Sequence, residues 1–227
     1  MKKANISEIF LSIQGEGLYF GIPQLFVRFD DCNLSCAYCD TKLKSYKSYT
    51  VKGLMRELSK FRGTHHSISL TGGEPLFQVD FIEDFLLEYK KKGGKSVYLE
   101  TNGTLPGALA RIIDNVDIIA MDVKLPSSTG DKSFWREHEK FLLAARWKKI
   151  FVKVVITQNT SPAEIVALSD MVQHISRKIP VILQPATEFK KENRVERKSL
   201  EHYRNLLQDS LKNVEIIPQV HKLLGVK

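Results

Sequence analysis

Residues 29–41 read FDDCNLSCAYCDT, and they carry every cysteine of the 227-residue chain: Cys32, Cys36 and Cys39. Three thiols spaced C-x3-C-x2-C, with no fourth elsewhere, form a restrictive pattern. A structural zinc site takes four protein ligands, commonly as two paired motifs, and no second pair exists here. His65 and His66 are a formal source of a fourth ligand, so zinc stays open on the residues alone. A four-iron cluster suits the pattern better, because three thiolates hold three irons and leave the fourth iron for another ligand.

The cysteine stretch follows directly on QLFVRFD (24–30), a strand candidate. Further strands are expected at 67–71, 96–102, 117–124, 150–156, 181–184 and 214–217. Helices are expected near 51–61, 80–92, 106–113, 134–146, 162–176 and 197–211. Ser161-Pro162-Ala163-Glu164 reads as a capping box with proline at the first helical position. The lysines before Gly93-Gly94 read as a helix C-terminus with its glycine cap. Strands alternating with helices predict an α/β fold on a parallel sheet, closed as a barrel or left as a partial one. No repeat or linker divides the sequence, which predicts a single domain over 1–227.

Strand periodicity locates the chemistry. In QLFVRFD, Leu25, Val27 and Phe29 share one face, and Phe26, Arg28 and Asp30 the other. Strands buried on both faces should read as unbroken apolar runs. Instead Arg28, Glu100, Asn102, Asp122, Lys124, Lys153 and Gln184 interrupt or end such runs, mostly toward the strand C-termini. That is where barrel active sites lie. Several of these residues are also accounted for by chain leaving a strand for a loop; Arg28 and Lys153, flanked by apolar neighbours, are not.

Bulk properties set outer limits. Hydrophobic residues make up 43%, enough for a core, and no apolar run reaches bilayer length. The start, MKKANISEIF, lacks a signal-peptide apolar stretch, so a cytoplasmic location without membrane association is expected. The net charge of +8 admits nucleic acid. The basic residues are scattered, however, and no helix-turn-helix, zinc finger or aromatic RNA-binding motif accompanies them, so no direct nucleic-acid partner is expected.

C-x3-C-x2-C with Tyr38 before the last cysteine, joined by TGGEP at 71–75, resembles the radical S-adenosylmethionine superfamily. The order SIQGEG (12–17), Arg28, the cysteine motif continued by Asp40-Thr41, TGGEP, ETNGT (100–104), DVKLP (122–126), LQPAT (183–187) and HKLLG (221–225) is similar to one of its families, the 7-carboxy-7-deazaguanine synthases. The resemblance implies a partial parallel β/α barrel of the radical S-adenosylmethionine type. Its implied cofactors are a 4Fe–4S cluster on Cys32, Cys36 and Cys39, S-adenosylmethionine, and Mg²⁺ at Thr41. The implied reaction contracts 6-carboxy-5,6,7,8-tetrahydropterin to 7-carboxy-7-deazaguanine with loss of ammonia, for queuosine or another 7-deazapurine.

The same resemblance assigns residues. Ile13, Gln14, Gly15, Glu16, Arg28 and Thr71 are expected at the substrate, Arg28 as a bidentate clamp on its carboxylate. Tyr38, Cys39, Asp40, Gly73, Glu100, Asn102 and Lys124 are expected at S-adenosylmethionine. Flavodoxin or ferredoxin as reductant and a homodimer are also implied. Simpler roles stay open for three of these positions: an ion pair of Arg28 with Asp30 or Asp31, a solvated Glu16, and a turn capped by Asp40-Thr41. So do two other functions: a radical activase that makes a glycyl radical on a partner protein, and a zinc module that binds RNA. Some members of the family end in a proline whose carboxylate reaches the site, whereas this sequence ends LLGVK with Lys227.

Overall fold

The computed structural model describes residues 2–39, 45–61, 63–186, 195–220 and 225. Among them nine strands form one sheet: β1 (Lys3–Ile13), β2 (Pro23–Phe29), β3 (Lys47–Thr50), β4 (Ser67–Gly72), β5 (Ser96–Thr101), β6 (Ile118–Asp122), β7 (Lys149–Ile156), β8 (Val181–Pro185) and β9 (Val214–Ile216). Their order is β3-β1-β2-β4-β5-β6-β7-β8-β9. From β2 through β9 neighbours run parallel, while β1 lies antiparallel to both β2 and β3. The sheet stays open, with β3 and β9 as its edges, and is the partial barrel that the alternation predicts.

The helices are α1 (Val51–Leu58), α2 (Val79–Lys91), α3 (Pro106–Ile112), α4 (Pro126–Thr129), α5 (Trp135–Ala145), α6 (Pro162–Ile175) and α7 (Arg197–Gln208). All but the single turn α4 fall where the sequence places them. Gly93 caps α2 as expected: its φ is +71° and its N–H donates to the Lys90 carbonyl at 3.0 Å. The capping box is a correction. Pro162 does open α6, but the Ser161 side chain makes no cap bond. The Glu164 carboxylate turns outward and accepts from the Ser127 hydroxyl at 2.6 Å and its N–H at 3.2 Å, fastening α6 to α4.

Strand alternation divides the interior into two layers. Leu25, Val27, Leu70, Leu99, Met121, Val152 and Val154 face the helices and pack on Ile82, Phe85, Phe141 and Leu168. Each such side chain, fully buried, contributes roughly 1.5–3 kcal/mol. On the opposite, inner face Tyr98, Ile118, Ala120, Phe151, Ile182 and Ile217 make a smaller apolar floor. Polar residues stand above this floor, toward the strand C-termini. Register aligns them across the sheet, Arg28 beside Thr71 and Asp122 beside Lys153.

The glycine pair of TGGEP has a steric origin. A Cβ on Gly72 would lie 2.1 Å from the Phe29 carbonyl oxygen, and one on Gly73 would lie 1.9 Å from that of Asp31. Only bare backbone lets the exit of β4 press against the exit of β2, where Gly73 N–H donates to Phe29 O at 3.1 Å and Glu74 N–H to Asp31 O at 2.9 Å. Gly73→Ala is therefore expected to lower stability by about 2 kcal/mol or more, the upper range of overpacking. Gly107→Ala in α3, where a Cβ meets nothing within 4 Å, should instead gain up to ~1 kcal/mol of helix propensity. Chemical denaturation of the two variants checks the contrast.

Candidate active site

The segment leaving β2 turns at Asp31, the one described non-glycine residue with positive φ, at +67°. It then presents the cysteines, Cys32 and Cys39 exposed and Cys36 half-buried, all free thiols. Hydrogen bonds seat this loop on its neighbours. Ala37 N–H donates to Thr129 O at 2.8 Å, joining it to the end of α4. The Tyr38 hydroxyl accepts from Lys124 Nζ at 3.2 Å, with the ammonium 5.2 Å from the ring centroid. Asn33 donates to Thr104 Oγ1 at 2.8 Å and accepts from Asn102 Nδ2 at 2.9 Å. Thr104 closes the ring by donating to Asn102 Oδ1 from its hydroxyl at 2.6 Å and its N–H at 3.0 Å. The Asn102 amide, expected at the cofactor, is thus engaged in holding the cysteine loop.

Two buried groups support this ring from behind. Glu74 is fully enclosed and accepts from Leu76 N–H at 3.0 Å, Thr101 Oγ1 at 2.9 Å and Asn102 N–H at 2.7 Å. Burial pushes its carboxyl up to about 7 despite these bonds. His138 Nε2 lies 3.0 Å from the Asn102 carbonyl, and burial pulls that imidazole down to about 4. It is neutral near pH 7, so Nε2–H is the donor.

The inner face holds a second network. Gln14 Nε2 donates to Glu100 Oε1 at 2.5 Å and to Gln24 Oε1 at 3.1 Å, and Thr71 Oγ1 donates to Glu100 Oε2 at 2.6 Å. Glu100, expected with the cofactor set, is therefore joined to Gln14 and Thr71 of the substrate set. Ile13 ends β1 opposite Pro23, and the Gly15 carbonyl accepts from Val220 N–H at 2.9 Å. Gly17, at φ +64°, rests on the Phe151 ring, which a Cβ would meet at 2.5 Å.

Glu16 is no solvated loop residue. Its carboxylate accepts from Lys153 Nζ at 2.5 Å and Gln219 Nε2 at 2.7 Å. Burial alone would raise it; Lys153, with Gln219 and Gln184, holds it at about 2. Lys153 also lies 3.3 Å from Asp122, and Asp122 3.0 Å from Lys124. Burial opposes both ammonium groups, yet their carboxylate partners carry them above the ordinary lysine range.

Arg28 does form an ion pair, but with neither Asp30 nor Asp31. Its Nε donates to Glu8 at 3.0 Å, directly across in β1, and its guanidinium lies 5.8 Å from the Phe10 ring centroid. Asp30 accepts from Ser7 Oγ at 2.9 Å instead. Thr41 and Asp40 lie outside the described residues, as do His221 and Lys227 of the C-terminal stretch. No three His, Cys, Asp or Glu side chains among the described residues converge as ligands of a single ion. No described helix is long and apolar enough to cross a membrane.

Asn102→Ala would leave Asn33 and Thr104 without their shared partner. Unpaired buried polar groups cost about 1–3 kcal/mol each, so the melting temperature should fall. Alkylation of Cys32 in the iron-free protein should accelerate as its loop loosens. Thermal denaturation and thiol-labelling rates check both effects.

Residues 26–160 match the family model described as the Radical SAM superfamily. The 7-carboxy-7-deazaguanine synthase of Geobacter sulfurreducens is 35% identical over 98% of this chain and 97% of its own length. Those of Archaeoglobus fulgidus (34%; 99% and 100%) and Methanothermobacter thermautotrophicus (32%; 100% and 99%) are similar end to end. Among solved structures, QueE from Escherichia coli superposes with a TM-score of 0.62 at 19% identity, covering 96% of this chain and 95% of that one. A radical SAM methyltransferase from Sphaerobacter thermophilus shares the fold at 0.62 and 14% identity, covering 87% and 66%. None of these relatives lends support to a glycyl-radical activase. The chain belongs to the radical SAM superfamily and, within it, to the family of 7-carboxy-7-deazaguanine synthases.

Proposed function

We propose that the protein converts 6-carboxy-5,6,7,8-tetrahydropterin into 7-carboxy-7-deazaguanine and ammonia. The observation that carries this reading, beside family membership, is the arrangement of the inner face. A loop of three thiols, a half-buried carboxylate pair for amide and amine donors, and an arginine for an anion all border the inner face of one sheet. Cys32, Cys36 and Cys39 would hold a 4Fe–4S cluster. S-adenosylmethionine would lie by Tyr38, Cys39, Asp40, Gly73 and Lys124. Asp122 Oδ1 supports that placement: it is buried without a hydrogen-bond partner among the described residues and suits the hydroxyl donors of a ribose. When bound, cluster and cofactor supply a carbon-centred radical able to remove a hydrogen atom.

The chain's own residues bind, orient and exclude water. Glu8 engages Arg28 through Nε, and the arginine's two terminal nitrogens, unbonded among the described residues, would grip the substrate carboxylate as a fork. Glu16 and Glu100 accept from the N–H groups of the aminopyrimidinone edge, with Lys153 and Gln219 fixing the orientation of Glu16 and Gln14 and Thr71 that of Glu100. The buried floor of Tyr98, Phe151 and Ile182 keeps water from the reacting ring. Substrate and product differ by ammonia alone, so the cycle needs no net oxidant. The reading extends to Mg²⁺ at Thr41 beside the substrate carboxylate, chemically apt for a hydroxyl plus substrate oxygens. It also extends to a flavodoxin or ferredoxin reductant, a single domain, a homodimer and a cytoplasmic location.

Reconstituted protein incubated anaerobically with S-adenosylmethionine, dithionite, Mg²⁺ and the carboxy-tetrahydropterin should yield 7-carboxy-7-deazaguanine by mass spectrometry. Cys36→Ala should lose both iron and turnover; full activity in that variant would end the reading. Arg28→Lys keeps charge without the fork, so substrate binding should weaken about tenfold or more, the scale of a charge-assisted hydrogen bond. Substrate-free cofactor cleavage should persist in Arg28→Lys, which a titration and a cleavage assay test side by side.

A further inference from the structure

Lys153 lies within β7 between Val152 and Val154, both fully buried against the helices. Its own side chain points the other way, into the inner face, and is 15% exposed. A lone ammonium there would carry a desolvation cost of several kcal/mol. It is tolerated because two carboxylates meet it, Glu16 at 2.5 Å and Asp122 at 3.3 Å. The same strand seats the loop that carries Glu16, since Gly17 rests on Phe151, two residues before Lys153 and on the same face. The SIQGEG loop is therefore attached to β7 at two points, one steric and one ionic.

We infer that Lys153 is a positioning residue of the substrate site: it keeps Glu16 an oriented, acceptor-only carboxylate and so selects a ligand edge that presents N–H donors. The inference rests on the reading of Glu16 as a substrate-binding residue. An ionised carboxylate only accepts, whereas a carboxylic acid also donates and loses that discrimination. Without its cation a half-buried Glu16 drifts toward the protonated form. The other charged or titratable groups around the pair are Asp122 of β6, Glu100 and Tyr98 of β5, Lys124 and Tyr19. Lys124 is already matched to Asp122, so no second cation replaces Lys153.

The sign follows from the pair. Glu16 is held at about 2 and Lys153 above its usual range, so both stay charged between those limits and wild-type binding is flat across the neutral region. In Lys153→Met the Glu16 value rises, and binding through it declines as pH falls.

The test is equilibrium binding to protein loaded with cluster and S-adenosylmethionine, without reductant, so that no turnover occurs. The probes are the carboxy-tetrahydropterin and its analogue lacking the exocyclic amino group. Wild type should prefer the amino compound by about tenfold or more, as expected for a lost hydrogen bond to a charged group. Lys153→Met, with iron content retained, should lose most of that preference and weaken about tenfold per unit of raised pKa as pH drops. Lys153→Arg should restore both. Where Lys153→Met is too unstable to purify, Lys153→Gln, which can still bond both carboxylates, gives the same readout. A neutral variant that discriminates like wild type with a flat pH profile overturns the inference and leaves the Glu16 reading standing. Wild type that binds both compounds equally overturns the two together.

Discussion

Four charges on the inner face of the sheet are tolerable only because they alternate in sign. From the SIQGEG loop to the cysteine loop the sequence in space is Glu16, Lys153, Asp122, Lys124, with successive contacts of 2.5, 3.3 and 3.0 Å. Each ion taken singly would cost several kcal/mol to desolvate, and each link offsets part of that cost for two of them. The row is neutral in sum, so it can hold charge near reacting atoms without drawing in counter-ions. Arg28 stands outside the row, paired with Glu8 on the adjacent strands.

The same end of the sheet is built from loops that hold one another. The exit of β2 is pressed by the glycines after β4, tied by Asn33 to the turn after β5, and tied by Ala37 to α4 after β6. Glu74 and His138 sit beneath these ties and satisfy backbone groups that a ligand never sees. Precision in a site of this kind comes from the second layer as much as from the residues that touch ligand.

Much of this was legible in the sequence, because the signals were local. Helix caps, apolar runs and the cysteine spacing depend on neighbours a few residues away, and the parallel strands and major helices fall where they predict. The misses are long-range. β1 and β3 escaped notice because Asn5, Ser7, Glu8 and Ser12 break up the first and KSYT is polar throughout. With β1 absent, Glu8 could not be foreseen as the Arg28 partner. Lys153 stood out as an interruption, but its partner Glu16 is 137 positions away. Glu164 fitted a local cap motif and was drawn instead to Ser127, a tertiary hydrogen bond outweighing a propensity. Asn33 and Thr104 carry no sequence signal of their own; only folding brings them to Asn102.

The bond between Glu16 and Gln219 joins groups 203 positions apart. Chains emerge from the ribosome at about 5–20 residues per second, so Glu16 is synthesised roughly 10–40 s before the residue that completes its hydrogen bonding. Lys153 arrives earlier but still behind most of the sheet. Through that interval the cysteines are already made while the inner face beside them is unfinished. The connectivity of the fold thus orders its own completion: the SIQGEG loop waits first for Lys153 of β7 and then for Gln219 before its carboxylate is held on both oxygens.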